Sequence, residues 1–283
     1  MICGMTYFQI CLYFLVYSFG GWVVEVIFHA VALGKVINRG FLNGPVCPVY
    51  GVGALIIIIG CWSYRDSMIG VFISGMILTS MLEYITATIL EKLFHAKWWD
   101  YSNHKCNING KVCLLNSTMF GIMSVFVVEF LHPFIINNLE KMNTTVLYVL
   151  LIFAIITMIS DLIVTARALG TLTLKVDSLT MLVDDMKKIH SKFKLYEDDE
   201  FLSKLKKSPE EVAQKLKMAS SKYGDLAIQD KIDDIQFKFR SLKQKAFIHR
   251  RLINAFPNMR SSGNKKRDAH FQYIKKMLRE KNK

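Results

Sequence analysis

Acidic and histidine side chains occur inside long apolar stretches of this 283-residue chain. Six ionisable residues are of this kind: Glu25, His29, Glu83, Glu129, His132 and Asp161. Each charge near the middle of a bilayer costs about 2.5 to 3.5 kcal/mol, so such a group needs a partner, a proton or water. We predict that these side chains form a substrate or proton pathway. The alternative is that Glu25 and Glu129 hydrogen-bond neighbouring helices and that His29 and His132 lie at interfaces in contact with water.

The acidic and histidine residues are spaced so that two pairs can each share one helix face. Glu25 and His29 are four residues apart, and Glu129 and His132 are three apart. If the apolar segments that carry them adjoin, two carboxylates and two imidazoles converge. Such a cluster could relay protons or bind a divalent cation. The sequence alone leaves the convergence, and any metal or cofactor, undetermined.

Five apolar segments position these groups: residues 5–33, 49–61, 68–90, 112–136 and 146–165. A helix needs roughly 20 mostly apolar residues to cross a bilayer core of about 30 Å. Four segments are long enough, and the second spans only if flanking residues extend it. Together with 52% hydrophobic residues, this pattern predicts an all-α, polytopic membrane protein with about five transmembrane helices.

A run of helix-breaking residues separates the first two segments. It contains Gly40, Gly44, Pro45, Cys47, Pro48, Tyr50 and Gly51. Glycine and proline interrupt a helix, whereas Pro48 suits the first turn of the helix beyond it. The run predicts an irregular segment that enters the membrane, as in the broken helices of transporters. The alternatives are a tight interfacial loop and, for Cys47, either a small apolar side chain or a thiol of lowered pKa.

Aromatic and charged residues alternate between the third and fourth segments, at Trp98, Trp99, Asp100 and Tyr101. This composition is typical of the aromatic belt at a membrane interface. We therefore predict an interfacial loop that anchors the chain. A substrate-gating loop is the alternative.

Charge divides the chain into two parts. Residues 1–170 contain 9 Lys and Arg and 8 Asp and Glu, whereas residues 171–283 contain 27 and 15. We predict a transmembrane domain over 1–170 and a basic cytoplasmic helical tail over 171–283. Loop charges fall mainly on one side of the predicted spans: Lys35, Arg39, Lys92, Lys97, Lys105 and Lys111, against Arg65 and Lys141. The positive-inside rule then predicts a multi-pass protein of the cell membrane with its N-terminus outside and its tail in the cytoplasm.

The tail has the pattern of a helical hairpin. A heptad-like stripe comprises Val176, Leu179, Val183, Met186, His190 and Phe193. After an acidic connector at residues 196–200, a second helix is predicted from Ser208-Pro209-Glu210-Glu211, with Val212, Leu216, Tyr223, Ile232, Ile235, Phe239 and Leu242 on its apolar face. A third, short helix is predicted after residue 264.

Basic residues cluster near the end of the tail: Lys243, Lys245, Arg250, Arg251, Lys265, Lys266 and Arg267. Beside a membrane, such a cluster favours anionic lipid or an acidic cytosolic partner. Nucleic acid would attract the same charges, but tethering to the membrane makes it the less favoured partner.

Three blocks of this sequence resemble one known family. They are FGGWVVEVIFHA, RGFLNGPVCPVYGVGALI, and KWWDYSNHKCNINGKVCLLNSTMFG followed by HPF, and they lie within residues 7–135. The family is that of multi-pass bacterial membrane proteins described as Putative ABC-transporter type IV. The resemblance implies a transport-related membrane protein and supplies no catalytic residues. The tail lies outside it.

Enzyme motifs are missing from the sequence, which has no GxxxxGK[ST] phosphate loop, GxSxG elbow, HExxH or Rossmann GxGxxG. We predict a permease-like transport subunit that uses a separate ATPase, and its small size favours a homo-oligomer. The alternative is a membrane-anchored interaction or regulatory protein that acts through its basic tail. A membrane-embedded enzyme using the two Glu/His pairs ranks third.

Overall fold

The computed structural model describes residues 4–34, 36–193, 209–222, 226–242, 247–262 and 265–279. The helices are α1 Tyr7–Leu33, α2 Pro48–Gly60, α3 Met68–Phe94, α4 Leu114–Phe126, α5 His132–Leu139, α6 Thr144–Phe193, α7 Pro209–Lys222, α8 Leu226–Leu242, α9 Phe247–Ala255 and α10 Lys265–Arg279. Short strands are β1 Ala96–Lys97, β2 Asn107–Ile108, β3 Val112–Cys113 and β4 Arg260–Ser261. β2 and β3 form an antiparallel pair.

In the part of the chain that the structure describes, four helical stretches are long and apolar enough to cross a membrane: Tyr7–Val31, Met68–Phe94, Leu114–Leu139 and Thr144–Ser191. The chain is therefore an all-α membrane protein, as predicted. The second apolar segment forms α2, which has 13 residues. At about 1.5 Å per residue it is roughly 20 Å long, shorter than a ~30 Å bilayer core.

Local sequence explains where these helices begin and end. The Thr6 side chain and Gln9 form a capping box at the start of α1, and Gly34 ends that helix with a positive φ of 64°. Pro48 is the first residue of α2, as its position in the sequence predicts. Ser67 caps α3 by accepting from the Gly70 N–H at 3.1 Å.

Glycines allow α1 and α2 to pack with their backbones in close contact. A Cβ atom at Gly51 would lie 2.2 Å from Ser18 Oγ and 2.5 Å from the Phe14 carbonyl oxygen. A Cβ atom at Gly21 would lie 2.3 Å from Tyr50 Cβ. Small residues at helix contacts are the usual means of close packing in membranes. These two glycines therefore fix where α2 lies along α1.

A π-helical turn, Val127–Leu131, joins α4 to α5. Pro133 has no N–H, so the Glu129 carbonyl cannot receive its usual helical hydrogen bond. The His132 N–H instead donates to the Val127 carbonyl, five residues earlier. The proline thus accounts for the wider turn, and Glu129 lies within it.

The described structure divides into two compact units. The first comprises Met1–Arg167 with Arg251–Met259, and the second Ala168–Arg250 with Arg260–Lys283. α6 is 50 residues long and runs without interruption through residue 170. Nine residues of the predicted tail, Arg251–Met259, therefore belong to the first unit.

The second unit has a buried apolar core. The predicted stripe is buried at Val176, Leu179, Val183, Met186 and His190. The second predicted helix was wrong as a single element, because residues 209–222 and 226–242 form two helices, α7 and α8. Lys217 of α7 pairs with Asp233 of α8, so the two helices lie side by side.

Some sequence-based predictions concern residues outside the described ranges. These are Lys35, the acidic connector at 196–200, the cap at Ser208, Tyr223, Lys243 and Lys245. For Phe193, Phe239, Leu242 and Lys266, the helical backbone is described without the side chain.

We predict that Gly51→Val lowers the thermal stability of the chain in detergent, because the new side chain would overlap α1. Overpacking of this kind costs about 1 to 3 kcal/mol or more. Gly20→Ala is the matched control, because a Cβ atom at Gly20 meets nothing within 4 Å. Size-exclusion chromatography after heating measures both variants. Equal melting temperatures for Gly51→Val and Gly20→Ala would show that the α1–α2 contact is not tight.

Candidate functional site

The segment of residues 36–47, here called the polar loop, joins α1 to α2. Its last residue, Cys47, donates its N–H to the Ser18 carbonyl at 2.8 Å. Ser18 lies in the middle of the 27-residue helix α1. Because α1 is long enough to span a bilayer, α2 begins within the depth that α1 covers.

Side chains provide hydrogen bonds to the backbone of the polar loop where no regular structure does. Asn38 Oδ1 accepts from Trp22 Nε1 at 2.9 Å and from the Gly40 N–H at 3.0 Å. Asn38 Nδ2 donates to the Asn43 carbonyl at 2.7 Å. The Asn38 side chain thus links two parts of the loop to each other and to α1. Backbone groups that are away from water need hydrogen-bond partners, and Asn38 supplies two of them.

Asp161 of α6 holds the other half of the loop. Its Oδ2 accepts from the Gly44 N–H at 2.7 Å, and its Oδ1 accepts from Asn43 Nδ2 at 2.7 Å. The Thr165 hydroxyl donates to the same Oδ1 at 3.2 Å. Hydrogen bonds to a carboxylate are stronger than those between neutral groups. Asp161 therefore uses both of its carboxylate oxygens to hold the polar loop in place.

A charged group lies beside the start of α2. Tyr50 donates its hydroxyl to Glu25 Oε1 at 2.5 Å, and Arg39 Nη1 contacts His29 Nδ1 at 2.9 Å. A guanidinium can only donate, so His29 Nδ1 is an acceptor and its ring is neutral. Glu25 Oε2 lies 3.9 Å from both Arg39 Nε and His29 Nδ1. The predicted Glu25–His29 pair is thus close in space, and Arg39 lies beside both members.

Glu83 and Tyr101 join α3 to the loop that follows it. Tyr101 donates its hydroxyl to Glu83 Oε1 at 3.3 Å. Burial raises the pKa of the Tyr101 phenol, and the nearby Glu83 carboxylate raises it further. The phenol therefore stays protonated and acts as a donor.

The remaining residues of the predicted interfacial loop lie in different surroundings. Trp98 is only 5% exposed and packs with Phe41 and Phe94, at ring distances of 5.4 and 6.4 Å. Trp99 donates its indole N–H to the Lys111 carbonyl. Asp100 accepts from the backbone of Ser102 in a local turn. Trp98 is thus a core residue that supports the polar loop through Phe41.

His132 and Glu129 form no cluster with Glu25 and His29. His132 Nδ1 lies 3.0 Å from the Tyr17 hydroxyl, and Tyr17 precedes Glu25 by about two turns of α1, roughly 12 Å. The half-buried Glu129 carboxylate forms no hydrogen bond or ion pair within the described part of the chain. Among the described residues, no three His, Cys, Asp or Glu side chains are arranged to hold a metal ion.

Cys47 is buried at the start of α2. The residue is 5% exposed. The closed loop therefore shields the thiol, and Cys47 packs as a small apolar side chain.

Sequence reasoning missed several residues that build the site. Trp22, Asn38, Asn43 and Thr165 carry no sequence pattern of their own, and the one signal was that Trp22 and Asn43 lie within the blocks that carry the family resemblance. Arg251 was grouped with the basic cluster of the tail. Instead, its guanidinium donates to the carbonyls of Gly40 and Phe41, each at 2.8 Å.

Comparison with known proteins gives one match. Residues 12–166 match the model of the family described as Putative ABC-transporter type IV. The matched region contains the polar loop and every candidate site residue, from Glu25 to Asp161. No curated protein and no solved structure gives a significant match to the chain.

We predict that Asp161→Asn loosens the polar loop, because the Gly44 N–H and the Asn43 amide donate to different carboxylate oxygens, and in asparagine one of these positions is an NH2 group that cannot accept. The loss of charge-assisted hydrogen bonds costs about 1.5 to 3 kcal/mol. Hydrogen exchange of residues 40–47 in lipid nanodiscs should become faster. Asp66→Asn is the control, because the Asp66 side chain is 99% exposed. Unchanged exchange in Asp161→Asn would show that α6 does not hold the loop.

Proposed function

The chain belongs to the Putative ABC-transporter type IV family, whose model covers more than half of it, and from this premise we propose that it is a permease-like membrane subunit of a transport system. In this proposal ATP is hydrolysed by a separate protein, since the sequence has no phosphate-binding loop. Small integral subunits of this kind need partners, and a homo-oligomer is part of the proposal.

The observation that carries the transport proposal is Glu129. It lies near the middle of the Leu114–Leu139 stretch, within the π-helical turn. The other predicted acids have partners inside the chain: Glu25 with Tyr50, Glu83 with Tyr101, and Asp161 with Asn43. Glu129 has none within the described residues. An unpaired carboxyl group at mid-membrane is costly, and we propose that it serves a proton, a cation or a cationic substrate.

The predicted pathway residues then have two roles. Glu25, His29 and Asp161 position the polar loop through the contacts described above. Glu129, with His132 one turn away, lies on the proposed pathway, and Glu83 lies beside the loop that contains Trp98. π-Helical turns are often found at functional sites, which supports this division.

We propose that the chain crosses the membrane five times, with the N-terminus outside and the tail in the cytoplasm. α2 alone is too short to span, so we propose that the polar loop and α2 together cross the bilayer. The polar loop then opens toward the cytoplasm, where positive charge is concentrated.

The tail is proposed to contact anionic lipid and the ATPase. Its net charge of +12 over residues 171–283 supports this. Part of the basic cluster is already paired, since Arg267 bonds Asp177 at 2.9 Å, and Arg251 bonds the polar loop. Arg250 and Lys265 are exposed and are better placed for lipid.

We predict that the tagged, full-length chain, purified from its native membrane in mild detergent, retains a nucleotide-hydrolysing protein at fixed stoichiometry. Mass spectrometry of the purified sample measures this. A cytosolic protein without ATPase activity, retained instead at fixed stoichiometry, would contradict the permease proposal and support an adaptor. Truncation after residue 170 is a poorer test, because it also removes Arg251–Met259 from the first unit.

If Glu129 binds a proton, a cation or a cationic substrate, the chain should fold without it. We predict that Glu129→Leu raises the thermal stability of the purified chain, because it removes an unpaired mid-membrane carboxyl group worth about 2.5 to 3.5 kcal/mol if charged. Glu25→Leu is the matched control and should lower stability, because Tyr50 and Arg39 lose their partner. Destabilisation by Glu129→Leu would mean that the carboxylate supports the fold.

A further inference from the structure

A short piece of the tail, Arg251–Met259, belongs to the first unit and is here called the strap. Four of its residues are almost fully buried: Leu252, Ile253, Ala255 and Met259. The strap is separated from the polar loop by about two hundred residues of sequence, yet its first side chain binds that loop.

Arg251 completes the hydrogen bonding of the polar loop. The Gly40 and Phe41 carbonyls have no partner from a helix or strand, and each accepts one guanidinium N–H at 2.8 Å. The guanidinium donates from two nitrogens held in one plane, one to each carbonyl, whereas a lysine would have to reach both carbonyls from a single nitrogen. Without Arg251, two carbonyls would lose their bonds in a part of the loop where water is scarce.

Phe256 fastens the other end of the strap. Its ring meets Trp98 edge to face, with 4.6 Å between centroids. The Arg39 guanidinium lies 5.9 Å from the same ring, within cation–π distance. Trp98 also packs against Phe41. The strap therefore contacts both the polar loop and the aromatic residues beneath it.

The chain on both sides of the strap belongs to the second unit, namely Ala168–Arg250 before it and Arg260–Lys283 after it. The second unit is therefore covalently continuous with both ends of the strap. Arg251 binds neutral carbonyls rather than a carboxylate, so the contact can be broken without leaving an unpaired negative charge behind.

We propose that the strap is a releasable latch, by which the tail controls the exposure of the polar loop. While Arg251 is hydrogen-bonded to the Gly40 and Phe41 carbonyls, the polar loop is closed and Cys47 is buried. When the strap dissociates from the polar loop and these bonds break, the loop opens. The idea that a partner ATPase acts on this latch rests on the proposed transport function. The latch itself does not rest on that function.

Cys47 is a native reporter of the latch. Cys47 is 5% exposed, so a maleimide reaches its thiol only when the loop opens. Cys61 at the far end of α2 is 1% exposed and reports general loosening of the first unit. Peptide-level mass spectrometry of the full chain in lipid nanodiscs gives the N-ethylmaleimide labelling rate of each cysteine separately.

Arg251→Gln should raise the labelling rate of Cys47 about tenfold or more, as expected for the loss of charge-assisted hydrogen bonds, while Cys61 stays protected. Arg251→Lys should give an intermediate rate. Arg260→Gln is the matched control, because Arg260 is exposed and directly follows the strap, and it should leave the labelling rate of Cys47 unchanged.

Phe256→Ala should also raise Cys47 labelling, whereas alanine at the exposed Phe237 should not. An unchanged Cys47 rate in Arg251→Gln would overturn the latch. A parallel rise at Cys47 and Cys61 would also overturn it, because the strap would then be ordinary core. Labelling requires no ATPase, so failure of the latch is distinguishable from failure of the transport proposal.

Discussion

The polar loop must satisfy its backbone hydrogen bonds within the depth of a spanning helix, and the rest of the first unit is arranged around that constraint. No irregular segment survives in hydrocarbon unless protein covers it and pairs its N–H and C=O groups. One partner, Asn38, belongs to the loop itself, and the others come from elsewhere in the chain: Ser18 of α1, Asp161 of α6 and Arg251 of the tail.

This constraint explains why polar residues occur in apolar helices. Asp161 contributes a carboxylate to the loop, and the Glu25–Arg39–His29 group lies against the start of α2. Gly21 and Gly51 are needed because α2 must lie against α1 for Cys47 to reach Ser18. Glu129 differs from these residues, because it has no hydrogen-bond or ion-pair partner among the described residues and therefore does not help to hold the polar loop.

Much of the fold could be predicted from sequence, because apolar segments, caps and Pro48 are local signals. Residues 68–90 were expected to be helical and lie within α3, and residues 114–136 of the predicted segment 112–136 lie within the α4–α5 stretch, whereas Val112 and Cys113 form β3. The partners of the loop could not be predicted, because Asn43 with Asp161 and Gly40 with Arg251 are contacts across more than a hundred residues. Spacing shows which residues share a helix face, so it paired Glu25 with His29, but it cannot show that His132 meets Tyr17.

The most direct test of this arrangement is amide hydrogen exchange of the wild-type chain in lipid nanodiscs, resolved to the residues of the polar loop. The Gly44 and Cys47 amides donate to Asp161 and Ser18, so they should exchange as slowly as the interior of α1. Exchange as fast as that of the exposed turn at residues 102–105 would show that the loop is an ordinary surface connection, and would contradict its placement beside the middle of α1.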